Sequence, residues 1–362
     1  MIDDRMRSLP PSLPSPSRRE GIRKESPSPS KGEGWGGGES PRKTVRRLFC
    51  LTFLTAVIAF APSAHAADKV HAAKAAGVAW TFTLLDVGIQ EGIFAKYGLD
   101  VDTADMAGDA RLQQALASGA VDFGLGSGPS MALAAKGGQA IAVAAFAGEP
   151  RNLAIIVGTD SPIKTVADLK GKKMGATTKG SLTEWLAQQL SRQQGWGDDG
   201  IPMVELGTFD ASLAALKVNQ VDAMVGALEA GYLLEERGQA KVLTGLEKVA
   251  PKFHTHVVFA RTDLVKSNPD LVARFLKGVF ASIAFMKANK EKTTAIATQV
   301  LHQTPAVMNR TWDYEISMFE DDGHFDPQAI DVLQQSFVAM GLAPEKIPDD
   351  KLYTTQFLPV KP

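Results

Sequence analysis

"ALASGAVDFGLG" (residues 115–126) and "ALKVNQVDAMVG" (residues 215–226) share Ala, Leu, Val, Asp and a final Gly at an offset of 100. Both follow the same local logic. A helix end carrying Leu116 or Leu216 breaks at a turn, Ser118-Gly119 or Asn219-Gln220, and a short strand follows Val121 or Val221. Asp122 and Asp222 stand at the strand entrances. The surrounding order repeats as well. An extended "HAAKAAGVAW", a helix-like "LLDVGIQEGIFAKYG" and a short strand "LDVDTAD" precede the first copy. "GKKMGATT", "SLTEWLAQQLSRQQG" and "IPMVELG" precede the second in the same roles. Asp109 and Asp210 begin the intervening helices and are expected as N-caps, since a carboxylate can accept the free N–H groups of a first turn. The result is βαβαβ twice, which predicts an α/β protein of two doubly wound lobes. Each lobe should hold one open parallel sheet with helices on both faces.

Open α/β sheets place ligand sites at the carboxyl ends of their strands, where loops lead into helices. Those loops are "AWTFT" (79–83) and "GSGPSM" (126–131) in the first unit, and "TTKGSLT" (177–183) and "GALEAG" (226–231) in the second. If the lobes face one another, the four loops line one cleft. The candidate ligand residues are Trp80, Thr81, Ser127, Gly128, Pro129, Thr178, Lys179, Gly180, Ser181, Leu228 and Glu229. Trp80 reads as either an apolar cleft wall or core, and Ser127 and Ser181 as either ligand contacts or helix caps. Gly126 and Gly128 permit close backbone approach, and Pro129 suits the first turn of a helix. Free amides at two helix starts, together with Lys179, favour a small organic anion. Glu229 points the other way, toward an amine or a neutral heterocycle with N–H donors.

Two extended runs, "NLAIIVGTDSP" (152–162) and "HTHVVFARTDL" (254–264), stand where the chain must cross between lobes. They predict a two-strand hinge near 154–160 and 255–263. The expected lobes are 67–157 and 158–253, with 254–362 returning to the first lobe and adding C-terminal helices. "PDLVARFLKGVFASIAFMKANKE" and "PQAIDVLQQSFVAMG" carry apolar residues at helical spacing.

The chain has 362 residues, 44% of them hydrophobic and 22% charged, enough for more than one core. Residues 1–41 are Pro, Ser, Gly and Arg with little to bury, and are expected to be a disordered or mis-called extension. Residues 42–66 read as a signal peptide. Arg42, Lys43, Arg46 and Arg47 precede an apolar run from Leu48 to Ala61, and Ala64-His65-Ala66 supplies a cleavage site. Both the general and the twin-arginine export routes remain open. Cleavage after Ala66 would remove 11 basic and 6 acidic residues and leave a chain of about −6. That mild acidity argues against nucleic acid and against anionic membrane as partners.

Cys50 is the single cysteine, so the exported chain would have neither disulfides nor cysteine chemistry. His254-x-His256 has a spacing seen in some metal sites but no third ligand nearby in sequence, so a metal-free pair is expected. "EDDG" (320–323) is unlike a calcium loop, and "GSGPS" lacks both the P-loop lysine and dinucleotide spacing. No cofactor, no metal and no catalytic set is expected.

"GIFAKYGLDV" (92–101), "ALASGAVDFGLGS" (115–127), "TVADLKGKKMGA" (165–176) and "NQVDAMVG" (219–226), in that order, carry a family resemblance. The chain resembles the periplasmic substrate-binding proteins of ABC importers for nitrate, sulfonates and taurine, over about residues 70–340. The resemblance implies a type II periplasmic binding protein fold, a monomer, a periplasmic location and an ABC permease as partner. It implies a binding protein rather than an enzyme, and leaves the ligand open between a sulfonate-, taurine- or carboxylate-like anion and a neutral heterocycle such as a thiamine-type pyrimidine precursor. A sensing role and an enzyme on the same fold remain as alternatives. Where the family often has Glu-Pro after the second-lobe strand, this chain has Glu229-Ala230.

Overall fold

Strands alternating with amphipathic helices build two five-stranded sheets. The computed structural model describes residues 66–77, 79–177 and 181–362; the extension 1–41, all but the last residue of the expected signal segment, Val78, and Thr178, Lys179 and Gly180 lie outside them. The strands are β1 (Asp68–Lys74), β2 (Leu99–Asp105), β3 (Phe123–Ser127), β4 (Ala140–Ala147) and β5 (Leu153–Gly158). They continue with β6 (Met174–Ala176), β7 (Met203–Glu205), β8 (Ala223–Ala227), β9 (Ala240–Gly245) and β10 (His256–Arg261). The sheet orders are β2-β1-β3-β10-β4 and β7-β6-β8-β5-β9.

The two orders are the same pattern. β5 in the second sheet and β10 in the first occupy equivalent slots, and each runs antiparallel to both neighbours. The sheets are therefore mixed, and the all-parallel expectation fails at that slot. The two runs expected as hinge strands are these interior strands, buried on both faces, which explains their unbroken apolar character. The chain crosses between sheets at 148–152 and 246–255, in the connections that precede them.

The duplicated motif has a physical basis in both halves. The Asp122 carboxylate accepts the His71 N–H at 3.0 Å, and the Asp222 carboxylate accepts the Lys173 N–H at 2.8 Å. In each case the aspartate at one strand's entrance is tied to the backbone of its parallel neighbour, in the middle of β1 in the first sheet and just before β6 in the second. The repeat also matches in backbone just before β3 and β8. Gly119 (φ 73°) and Asn219 (φ 55°) both turn left-handed just past a helix, where Gly or Asn is favoured.

The first-lobe helices are α1 (Thr83–Gln90), α2 (Ile93–Lys96), α3 (Asp109–Ser118) and α4 (Ser130–Gly137). Those of the second are α5 (Leu182–Gln193), α6 (Phe209–Lys217) and α7 (Leu228–Glu236). The C-terminal set is α8 (Thr262–Ser267), α9 (Pro269–Ala288), α10 (Lys290–Val300), α11 (Pro305–Glu315), α12 (Pro327–Ala339) and α13 (Asp349–Leu352). Caps and prolines fix several starts. Asn268, Thr304 and Asp326 each accept a first-turn N–H, and Pro269, Pro305 and Pro327 follow them directly. α9 packs on α1, and Phe275 stacks on Phe123 (3.9 Å) and on Phe94 (5.6 Å), which binds the C-terminal set to the first lobe. α11 packs on α7 and so reaches the second lobe.

β4 is the outer strand of the first sheet, and later segments cover it. Ala145 N–H donates to the Gly323 carbonyl, Glu320 N–H to Phe146, and Thr354 N–H to Ala142. Under that sheet Lys74 is buried, held between Asp86 (3.2 Å) and Asp105 (3.1 Å). Burial pushes the Asp86 carboxyl up, against the pull of Lys74.

Candidate functional site

The carboxyl ends of the two sheets meet around a cavity of about 520 Å³. Ala75, Ala76, Ala79 and Phe82 line it from the first lobe, with Asp109, Ser127, Pro129, Ser130 and Leu133. Thr177, Ser181, Leu182, Thr183 and Ala227 line it from the second. The crossing segments and the strand that follows contribute Asn152, Leu153 and His256, and the chain just past α12 contributes Met340 and Leu342. A groove of about 540 Å³ between α10 and α11 is walled only by residues of those two helices and lies outside the meeting of the lobes.

Ser127, Pro129 and Ser181 therefore stand in the cavity wall. Ser181 is at the same time the N-cap of α5, accepting the Glu184 N–H at 3.3 Å, and its hydroxyl pairs with that of Thr183 at 2.9 Å. Trp80 and Thr81 are fully buried outside the lining, because a 3-10 turn at Trp80–Phe82 tucks both side chains into the core and leaves Phe82 in the wall. Gly128, Leu228 and Glu229 also lie behind the lining.

The glycines of "FGLGSGPS" serve protein-to-protein contacts. A Cβ on Gly128 would stand 1.9 Å from the His254 carbonyl, and one on Gly126 would stand 2.7 Å from the Asp109 carboxylate. Gly128 N–H donates to the Thr255 carbonyl at 2.9 Å. Asp109 differs from the N-cap expectation. It is the first residue of α3, and its two oxygens accept the N–H (2.9 Å) and the hydroxyl (2.8 Å) of Ser127, 18 positions away. Asp210 is not the cap of α6 either; Thr208 is, accepting the Ala211 N–H at 3.2 Å. The Ser127 and Gly128 amides are thus both taken by protein groups.

His256 and Asn152 form a buried polar pair in the wall that the sequence did not single out as ligand residues. His256 packs between Phe82 (4.8 Å) and Phe146 (5.7 Å). Its Nε2 lies 3.2 Å from both the Thr81 hydroxyl and Asn152 Nδ2. Asn152 Nδ2 can only donate, so Nε2 accepts and the ring proton sits on Nδ1. Burial lowers the ring's pKa to about 3, despite the Gly126 carbonyl beside it, so the imidazole is neutral. Asn152 Oδ1 is buried without a partner. His254 points elsewhere: its Nε2 accepts the Asp326 N–H at 2.8 Å, and burial lowers it to about 4.

Behind the cavity, the Trp80 N–H of the first lobe donates to Glu229 Oε1 of the second at 3.2 Å. Glu229 Oε2, both oxygens of Glu315 and the Trp80 indole N–H are buried without partners. Desolvation pushes Glu229 up to about 7. Glu315, at the end of α11, is raised well above the usual carboxylate range by burial and by the charge of Glu229.

Comparison with known proteins fits this geometry. The chain is 24% identical over 261 residues to a Brucella abortus protein named "Putative binding protein", covering 69% of this chain and 78% of that one. The periplasmic aliphatic sulphonate binding protein SsuA from Escherichia coli has the same fold (TM-score 0.67, 20% identity, 79% of this chain and 92% of that one). So does the desulfurization enzyme DSZB (TM-score 0.58, 15% identity, 80% and 97%), so the fold by itself carries both binding and catalysis. The family model described as "NMT1/THI5 like" matches residues 80–293, from the turn that buries Trp80, through both crossings, to the start of α10. With more than half its length inside that match, this chain belongs to the NMT1/THI5-like family.

Proposed function

We propose that the protein is the solute-binding component of an ABC importer, working in the periplasm as a monomer and presenting its loaded form to an inner-membrane permease. The observation that carries this reading is the cavity itself. It is walled by matched loops of two lobes between which the chain crosses twice, an arrangement in which a ligand can bridge the lobes and hold them together. The lining is mostly apolar with a few hydroxyls, an amide and one carboxylate, which suits a small organic molecule. A binding role is favoured over catalysis because the Thr81 hydroxyl beside the wall's buried imidazole is itself fully buried, out of a ligand's reach, and the same imidazole nitrogen is shared with Asn152.

The experiment is native mass spectrometry of protein isolated from the periplasm, before and after mild unfolding. One small molecule per chain is expected. Its binding to refolded protein should make the small-angle scattering profile more compact, and Leu153→Trp, which fills the cavity, should abolish both effects. A chain that carries no small molecule and is unaltered by extracted metabolites would refute the reading.

A further inference from the structure

We infer that Glu229 and Glu315 form a proton-operated latch, which holds the lobes together while the pair is protonated and lets them part when it ionises. The inference goes beyond the solute-binding reading and makes no use of a ligand, so its failure leaves that reading standing. Three elements meet at the pair. Glu229 lies in the first turn of α7, Glu315 ends α11, and Glu229 accepts the Trp80 N–H from the 3-10 turn of the first lobe. α11 packs on α7, and Glu315 feels the charge of Glu229. Both side chains are buried, and Glu229 Oε2 and both Glu315 oxygens lack a hydrogen-bond partner among the described residues.

α11 gives the pair its mechanical reach. It rides on the second lobe: the Tyr314 hydroxyl donates to Glu247 (2.8 Å), the Thr304 hydroxyl to Glu236 (2.6 Å), and Arg310 stacks on the Tyr232 ring at 3.6 Å. The chain on either side of α11 is tied to the first lobe. Before it, α10 packs on α1 and Lys292 pairs with Glu91 at 2.9 Å; after it, the Glu320 N–H donates to the Phe146 carbonyl at 2.9 Å. Parting the lobes therefore bends the chain at 301–304 and 316–319, and Glu315 stands beside the second bend.

The surrounding charges set the direction. Among the described residues, the cations of the packed elements are engaged elsewhere. Arg310 pairs with Glu235 of α7, Lys290 of α10 with Asp313 of α11, Lys292 with Glu91, and Arg151 with Glu149. Lys241 of β9 and Glu291 of α10 are exposed, and β5, β8 and the turn at Trp80–Phe82 carry no charged side chain. Tyr232, which feels the Glu315 charge, is raised by burial and stays a neutral phenol, and His256 beside Thr81 is neutral as well. Ionisation thus leaves a carboxylate desolvated beside a second acid, and opening relieves it by admitting water. Burial raises both carboxyls, Glu229 from 4.5 to about 7. A group raised in the closed form supports closure below its value in water and withdraws that support as pH climbs through its closed-form value.

Hydrogen exchange of ligand-free protein, resolved to single amides and corrected for the intrinsic rate, tests the latch between pH 5.5 and pH 8.5. The Trp80 amide should lose protection roughly 30-fold across that interval, the ratio set by a carboxyl at about 7 in the contact and 4.5 in water. At pH 8.5 it should also exchange faster than the Val258 amide inside the first sheet, which marks opening rather than unfolding. Glu229→Gln keeps an acceptor for Trp80 and cannot ionise, so its protection should change less than about threefold. If that variant does not fold, the wild-type profile decides alone, because the loss should level off above about pH 7. The inference is overturned if the Trp80 amide is as protected at pH 8.5 as at pH 5.5, or exchanges no faster than Val258. The same loss in Glu229→Gln, or a wild-type loss that does not level off, overturns it equally.

Discussion

Replacing Glu229 with Gln tests the buried contact between the lobes. Glu229 is 3% exposed, and burial moves its carboxyl from 4.5 to about 7. A group whose pKa is raised on folding leaves stability intact below the unfolded value. It removes stability as pH climbs through the folded value, because the unfolded chain then ionises more readily. A rise of that size corresponds to about 3 kcal/mol, lost between roughly pH 4.5 and pH 7.5. Gln keeps an oxygen for the Trp80 N–H and cannot ionise. Urea unfolding of wild type and Glu229→Gln at pH 5 and pH 8.5 reads the effect, since titrating groups other than Glu315, which feels the Glu229 charge, cancel in the difference. The variant should gain about 2–3 kcal/mol on wild type between the two pH values. A difference that stays constant within about 0.5 kcal/mol would show that the carboxylate is solvated and the lobe contact is not formed.

Two other substitutions probe positions that the geometry makes intolerant. Gly128→Ala should cost more than about 2 kcal/mol or prevent folding, since the new Cβ would press on the His254 carbonyl; a melting point within a few degrees of wild type would contradict this. Lys74→Met should cost about 3–5 kcal/mol by stranding Asp86, and adding Asp86→Asn should recover part of it, as read by thermal melting near pH 7.

The fold was legible because its duplication sits in local signals. Asp122 and Asp222, and the left-handed turns at Gly119 and Asn219, mark matching strand entrances from sequence alone. Of the cavity wall, the sequence marked only the part that loops alone build, Ser127, Pro129 and Ser181. What escaped depends on contacts distant in sequence. An aspartate beginning a helix reads as a cap whether it binds its own first turn or, as Asp109 does, a serine 18 residues on. Trp80 after a strand end reads equally as cleft wall or as core until the 3-10 turn is known to rotate it inward. Asn152 and His256 stand in apolar runs whose hydrophobicity announces strands and hides the polar pair they bring together. Met340 and Leu342 reach the cavity from the far end of the chain, which no local pattern signals.

The slots of β5 and β10 also set an order of assembly. The second sheet is complete once residues 153–245 exist, whereas the first waits for β10 in its interior and for residues up to 354 along β4. Closing those longer loops costs more chain entropy before any contact returns it, so the second lobe can form while the first is still open. During that interval β4 exposes a bare row of amides and carbonyls, a template for pairing with other chains. The segment from Glu320 onward thus acts as a built-in guard of the first lobe, and a chain cut before it would be lost to aggregation rather than to failed ligand capture.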